Sequence, residues 1–175
     1  MNFRISVADL EELSVAEAKT VIERSYKIPL SEVKLFDLLV TEDNGFAMRH
    51  GVYVFFNDIG ECLYVGMCSS SHFAHRIGGH FGMSPKYGMN TFLKRTVKML
   101  GLKNTYASYV EALPKISEYR LLIIVANGRG KEFIGKLEKL LHIIYNPMLN
   151  FPAGFPKTYK PIDMSQRFSS SVASQ

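Results

Sequence analysis

The sequence predicts a mixed α/β chain (α+β in its segregation), with three strands flanked by helices. Three observations carry this. Residues 51–66 run from glycine to glycine with apolar residues on both sides of an Asn57-Asp58-Ile59-Gly60 turn, which is a β-hairpin pattern. Residues 119–126 contain Leu-Leu-Ile-Ile-Val, β-rich and apolar at every position, as in a strand buried on both faces. The apolar residues of the remaining segments recur at helical spacing. At 175 residues, 47% hydrophobic and 21% charged, the chain has the size and balance of one globular domain. That composition excludes collagen, low-complexity, coiled-coil and disordered chains. The longest unbroken apolar run, 121–126, is far short of the ~20 residues of a membrane span.

The elements follow in order. Ser14 and Glu17 form a capping box, and Ala18, Val21, Ile22 and Ser25 continue it at helical spacing until Pro29. Ser31 is placed to cap a second helix with Leu35, Leu38 and Leu39 on its apolar face. The turn cluster at 41–45 marks a boundary. Residues 1–45 therefore read as an acidic helical N-terminal extension, and 46–161 as the main domain. After the hairpin, Ser69, Ser70 and Ser71 can cap a helix through Phe73, Arg76, Ile77 and His80, although Gly78 and Gly79 each cost about 1 kcal/mol there. Asn90 caps a basic helix over 91–100. A short helix over 104–113 stops before Pro114, and these two helices make a basic insertion at about 81–118. The buried strand and a turn at 127–130 lead into a helix over 131–145, ended by Pro147. An extended strip rich in proline and aromatics covers 151–161, and 162–175 reads as a disordered tail.

Charge is unevenly spread. Residues 1–45 carry nine acids and five bases, a net −4, so the remaining 130 residues carry +9 of the overall +5. Between Glu61 and Glu111 there are no acids, six bases and three histidines. The simplest partner for such a surface is a polyanion, because each phosphate that it neutralises releases condensed counterions. No secretory signal core is visible at the N-terminus. Two cysteines, Cys62 and Cys68, are too few for a disulfide framework and read as buried thiols of a reducing compartment, the cytoplasm.

Four places concentrate chemistry. With a two- or four-residue hairpin loop, Tyr53 pairs directly with Tyr64 on one face of the sheet; a three-residue loop breaks that pairing. Such a pair can simply pack. Arg76 and His80 are four apart, project from one helix face and have no nearby acid in sequence, which suits a phosphate oxyanion or two plain surface residues. Glu138 falls at the edge of the apolar stripe of its helix, beside Leu141 and Ile134, where a carboxylate can be a solvated boundary residue or hold a hard cation. Lys94, Arg95 and Lys98 share one side of the basic helix, flanked by Lys86, Tyr87 and Lys103. That side is a solvated face or a nucleic-acid surface, on which Asn90 or Arg95 could read bases. His72 and His75 lack the partners of a zinc site.

Taken together, these motifs resemble the GIY-YIG nuclease superfamily. Gly51-Val52-Tyr53, ten residues, then Tyr64-Val65-Gly66 matches its paired signature. Its helix arginine falls on Arg76, the histidine found in some branches on His80, and its metal-binding glutamate on Glu138. A proline nine residues later and an asparagine twelve later fall on Pro147 and Asn150. The resemblance covers 51–150. It departs in a slightly longer stretch between Gly66 and Arg76, in the basic insertion and in the segment 1–45.

The resemblance implies a small central antiparallel three-stranded sheet and a DNA endonuclease of phage, restriction or mobile-element type, working in the cytoplasm (of the host cell, if phage-encoded). It implies one Mg²⁺ or Mn²⁺ on Glu138, with Tyr53 activating water and Tyr64 bonding the water or phosphate. Arg76 grips the phosphate oxygens, His80 relays a proton or touches phosphate, and Asn150 ties down the glutamate helix and the sheet edge. Two alternatives carry forward: a non-catalytic nucleic-acid-binding module on the same fold, and a nuclease for RNA or branched DNA. Specificity would come from the insertion, the N-terminal segment or a homodimer; no membrane partner is expected.

Overall fold

The computed structural model describes residues 2–39, 50–86, 90–126 and 128–175. The expected turn at 41–45, Tyr87 and the first residue of the 127–130 turn lie outside them.

One mixed sheet organises the chain. Its strands are β1 (Arg4–Ser6), β2 (Ile28–Pro29), β3 (Gly51–Phe56), β4 (Cys62–Cys68) and β5 (Arg120–Val125), in the order β1-β5-β3-β4, with β2 also on β5. β3 runs antiparallel to both β4 and β5, and these are the three strands read from the sequence. The sheet is nonetheless five-stranded, not three-stranded and purely antiparallel. β1 adds parallel to β5 through Arg4↔Ile123 and Ser6↔Val125, and β2 adds antiparallel through Ile28↔Leu121. Strands of three and two residues are too short for an alternation to register. The N-terminal segment thus contributes to the sheet and is not purely helical.

Among the described residues six α-helices cover the two faces: α1 (Val15–Arg24), α2 (Phe73–Gly79), α3 (Thr91–Met99), α4 (Tyr106–Ser117), α5 (Lys131–Tyr145) and α6 (Phe168–Ala173). Strand alternation divides the core. Tyr53, Phe55, Leu121 and Ile123 face α2, α3 and α4, while Val52, Val54, Phe56, Leu122 and Ile124 face α1, α5 and α6. β5 is buried on both sides from Leu121 to Val125 and is apolar over those residues for that reason.

Other expectations need correcting. The helix expected after Ser31 is two 3₁₀ turns, Leu30–Glu32 and Leu35–Leu38. α2 is capped by His72, whose Nδ1 accepts from the His75 N–H at 3.1 Å, not by the serines, and His80 is its C-cap. α4 runs through Pro114 to Ser117. The tail expected to be disordered carries α6, whose Phe168 and Val172 sit one turn apart and are wholly buried in the second core. The capping box of α1 is present, Ser14 and Glu17 each bonding the other's backbone N–H. Among the described residues no helix is long and apolar enough to cross a membrane.

Candidate functional site

The hairpin fixes the site's geometry. Its loop holds three residues, 58–60, with the Asn57 N–H bonded to the Glu61 carbonyl at 2.9 Å, and a register shift follows between Phe55 and Phe56. Tyr53 therefore lies opposite Gly66, not Tyr64. Tyr64 remains on the same face as a diagonal neighbour, its ring stacked on that of Tyr53 at 6.3 Å between centroids. The pairing explains Gly66. A Cβ there would lie 2.9 Å from Tyr53 Cε2 and closer still to Cζ and Oη, so the phenol crosses the strand where a side chain would stand. Gly51 is constrained from the other side, since its Cβ would enter the Ile124 carbonyl of β5.

Tyr53 is fully buried, and its Oη lies 2.5 Å from His80 Nε2. The Phe92 N–H, in the first turn of α3, points at His80 Nδ1 at 3.4 Å. With Nδ1 accepting, the neutral ring carries its proton on Nε2 and donates it to Tyr53. Arg76 also bonds the Tyr53 hydroxyl. Burial raises the Tyr53 pKa, with Tyr64 and Glu138 adding to the rise and Arg76 opposing it. Burial, together with Arg76 and Arg95, depresses His80 to about 4. The resting pair is thus a neutral phenol against a neutral imidazole.

The outer edge of β4 gathers the remaining groups. β4 ends the sheet, so alternate residues there point backbone N–H and C=O groups away from β3. The Leu63 carbonyl accepts from the Leu149 N–H at 3.0 Å. Asn150 brackets Val65, Oδ1 accepting its N–H at 2.7 Å and Nδ2 donating to its carbonyl at 2.8 Å. Met67 donates its N–H to Glu138 and accepts from Arg76 Nε at 3.2 Å. Arg76 reaches this edge from α2 on one face of the sheet, and Glu138 from α5 on the other. The residues between Gly66 and Arg76 are accommodated in a loop at 69–72, before α2 begins.

Glu138 is partly buried, and its pKa is raised to about 7 by desolvation, against the Met67 N–H and Arg76. Among the described residues no three His, Cys, Asp or Glu side chains cluster for a metal. A cation here would therefore have one carboxylate, with water and phosphate oxygens completing its shell, a donor set that suits Mg²⁺ or Mn²⁺ and not zinc.

The structure brings together Tyr53, Tyr64, Arg76, His80, Glu138 and Asn150. It divides the basic set. Arg95 turns inward, Nη1 donating to the carbonyls of Leu149 at 2.6 Å and Asn150 at 3.2 Å, so it braces the loop that carries Asn150. Asn90 is buried and donates to the Ser84 carbonyl and Tyr109 Oη, which leaves it unable to read bases. Lys86, Lys94, Lys98 and Lys103 are exposed. One residue escaped the sequence reading: His142, buried one turn after Glu138, with Nε2 3.3 Å from the Val65 carbonyl and packed against Phe151 and Tyr159. Its i+4 spacing from Glu138 was the available signal.

Comparison of the chain with protein-family models, with curated proteins and with solved structures finds no match.

Proposed function

We propose that the chain is a metal-dependent endonuclease that hydrolyses phosphodiester bonds in DNA, with a GIY-YIG-like core of β3, β4, β5, α2 and α5. The observation that carries the reading is the convergence of Tyr53 from β3, Arg76 and the C-cap His80 from α2, and Glu138 from α5, beside Gly66 and Met67. A phosphodiester is an anion, so its hydrolysis needs charge neutralisation and a positioned water. Arg76 supplies a forked cation for the phosphate oxygens. Tyr53 acts as the base in its phenolate form, reached by loss of the hydroxyl proton to solvent and held by donation from Arg76 and the His80 Nε2–H; the phenolate takes a proton from the attacking water and returns to the phenol. Tyr64 orients the water or phosphate, and Asn150 fixes the strand beneath them. Glu138 would hold Mg²⁺ or Mn²⁺, which when bound supplies positive charge to the phosphate and to the leaving oxygen. A carboxyl whose proton leaves only near pH 7 has the ionic compensation of such a cation still to gain. The same reading puts the protein in the cytoplasm, where Cys62 and Cys68 stay reduced.

The test is cleavage by purified protein of duplex, single-stranded and branched DNA and of RNA, with Mg²⁺ or EDTA, beside Glu138→Ala and Arg76→Ala. Metal-dependent cleavage lost in both variants is expected; equal cleavage by all three proteins removes those residues from the chemistry. The complete burial of Tyr53 favours a second reading, a non-catalytic nucleic-acid-binding module. Salt-sensitive binding without cleavage of any substrate would establish it.

A further inference from the structure

Beside the candidate site lies a groove of 640 Å³ between α3 and residues 148–152. It is lined by Lys94 and Lys98, one helical turn apart and exposed, and among the described residues no acid lines it. Met99, Met148 and Pro152 give it an apolar lining, and Met99 and Met148 are 40% and 51% exposed. Arg95 lines its inner end and donates to the Leu149 and Asn150 carbonyls. Through Arg95 the groove adjoins the loop whose Asn150 brackets Val65 at the candidate site.

We infer that this groove holds an unpaired nucleic-acid strand next to the scissile phosphate, so that the substrate is single-stranded or flap-bearing. The inference rests on the phosphodiester reading above. A duplex shows a protein its phosphates and keeps base faces stacked inside, so lysines alone would serve it. An apolar lining beside lysines gains only from base and sugar faces that are free to lie on it, as unpaired strands present them. Methionine is suited to this, because its flexible thioether adapts to any base.

The experiment is fluorescence anisotropy of the full chain in EDTA, which separates binding from cleavage. The probes are a labelled 20-nucleotide single strand, its matched duplex and the duplex with an unpaired flap, each over a range of salt. The single strand and the flap are expected to bind more tightly than the duplex. Met99→Ser with Met148→Ser should weaken strand binding about tenfold at an unchanged salt slope, and leave the duplex alone. Lys94→Ala with Lys98→Ala should flatten the single-strand salt slope by about 1.4. Lys131→Ala, on α5, should match wild type. Equal or tighter duplex binding, or methionine variants that weaken both substrates or neither, would overturn the inference. If the duplex is also cleaved in Mg²⁺, the hydrolytic reading survives that loss. Strand binding as described without cleavage of any substrate leaves the groove standing and removes the hydrolysis. No binding to any probe removes both.

Discussion

Replacing Gly66 with alanine sets a methyl group in the space of the Tyr53 ring, 2.9 Å from Cε2 and nearer to Cζ and Oη. Carbon atoms rest about 3.5–4.0 Å apart, so the ring or the strand must move by about 1 Å. The ring has nowhere to go. It is wholly buried, with the rings of Phe55, His80, Tyr64 and Phe73 at 5.7, 5.6, 6.3 and 6.5 Å between centroids. Overpacking of this kind costs about 1–3 kcal/mol. Disturbing the buried Tyr53–His80 hydrogen bond adds about 1 kcal/mol. For a chain of this length the total corresponds to a fall in Tm of roughly 5–15 °C. Thermal unfolding followed by circular dichroism measures it. Gly78→Ala and Gly135→Ala are the internal controls, since an added Cβ at either meets nothing within 4 Å; both sit in helices and should raise Tm slightly. Combining Gly66→Ala with Tyr53→Phe removes the nearest colliding atom, so the two effects should be less than additive. A Gly66→Ala variant melting within a degree of wild type would refute the register on which the site is built.

Glu138→Gln should raise stability at pH 8 and not at pH 4. Above pH 4.5 the unfolded chain releases this proton while the folded chain keeps it to about 7, so stability falls as pH rises through that window, by about 3 kcal/mol in all; the glutamine variant lacks this loss, and a Tm difference independent of pH would count against it. His80 acts in the opposite sense: its folded pKa is lowered to about 4, so stability is lost as pH falls from 6.5 towards 4, and His80→Asn should flatten the acid limb of the same curve. Asn150→Leu strips the Val65 N–H of its acceptor and should cost about 1–3 kcal/mol in denaturant unfolding, whereas a change below 0.5 kcal/mol would mean that water replaces the side chain freely. Phe168→Ala should cost about 3–5 kcal/mol by the same measurement, against almost nothing if the C-terminal segment were a frayed tail.

The parts of the fold legible in the sequence are those with a long enough period. Six residues of β3 and the five of β5 from Leu121 to Val125 declare themselves by apolar content, and the fifteen of α5 by their stripe, at whose edge Glu138 already stands out. Tyr53 and Tyr64 could be put on one face because two-residue periodicity survives a register error of two. Their true offset could not be read, because it depends on a three-residue loop and a shift at Phe56 that cost no distinctive residue. β1 and β2 escaped notice because tertiary pairing with β5, not local propensity, makes strands of three and two residues. α6 escaped because its serines suggest solvent while its two apolar residues fill a core built elsewhere. Arg95 looked like a surface cation because sequence cannot show carbonyls 54 and 55 residues away.

The outer edge of β4 has a consequence for how this protein is followed in solution and for what it can join. The Leu63 carbonyl and both backbone groups of Val65 and of Met67 are already taken, so a peptide or second chain cannot extend the sheet at this end by strand addition without first dislodging Glu138, Arg76 or Asn150. The same arrangement makes two amides into local reporters. The Met67 amide proton exchanges with solvent only when Glu138 lets go of it, and the Val65 amide proton only when Asn150 does. A spectroscopist watching those two signals would see, residue by residue, whether a metal ion or a strand of nucleic acid draws Glu138 off the backbone while Asn150 holds.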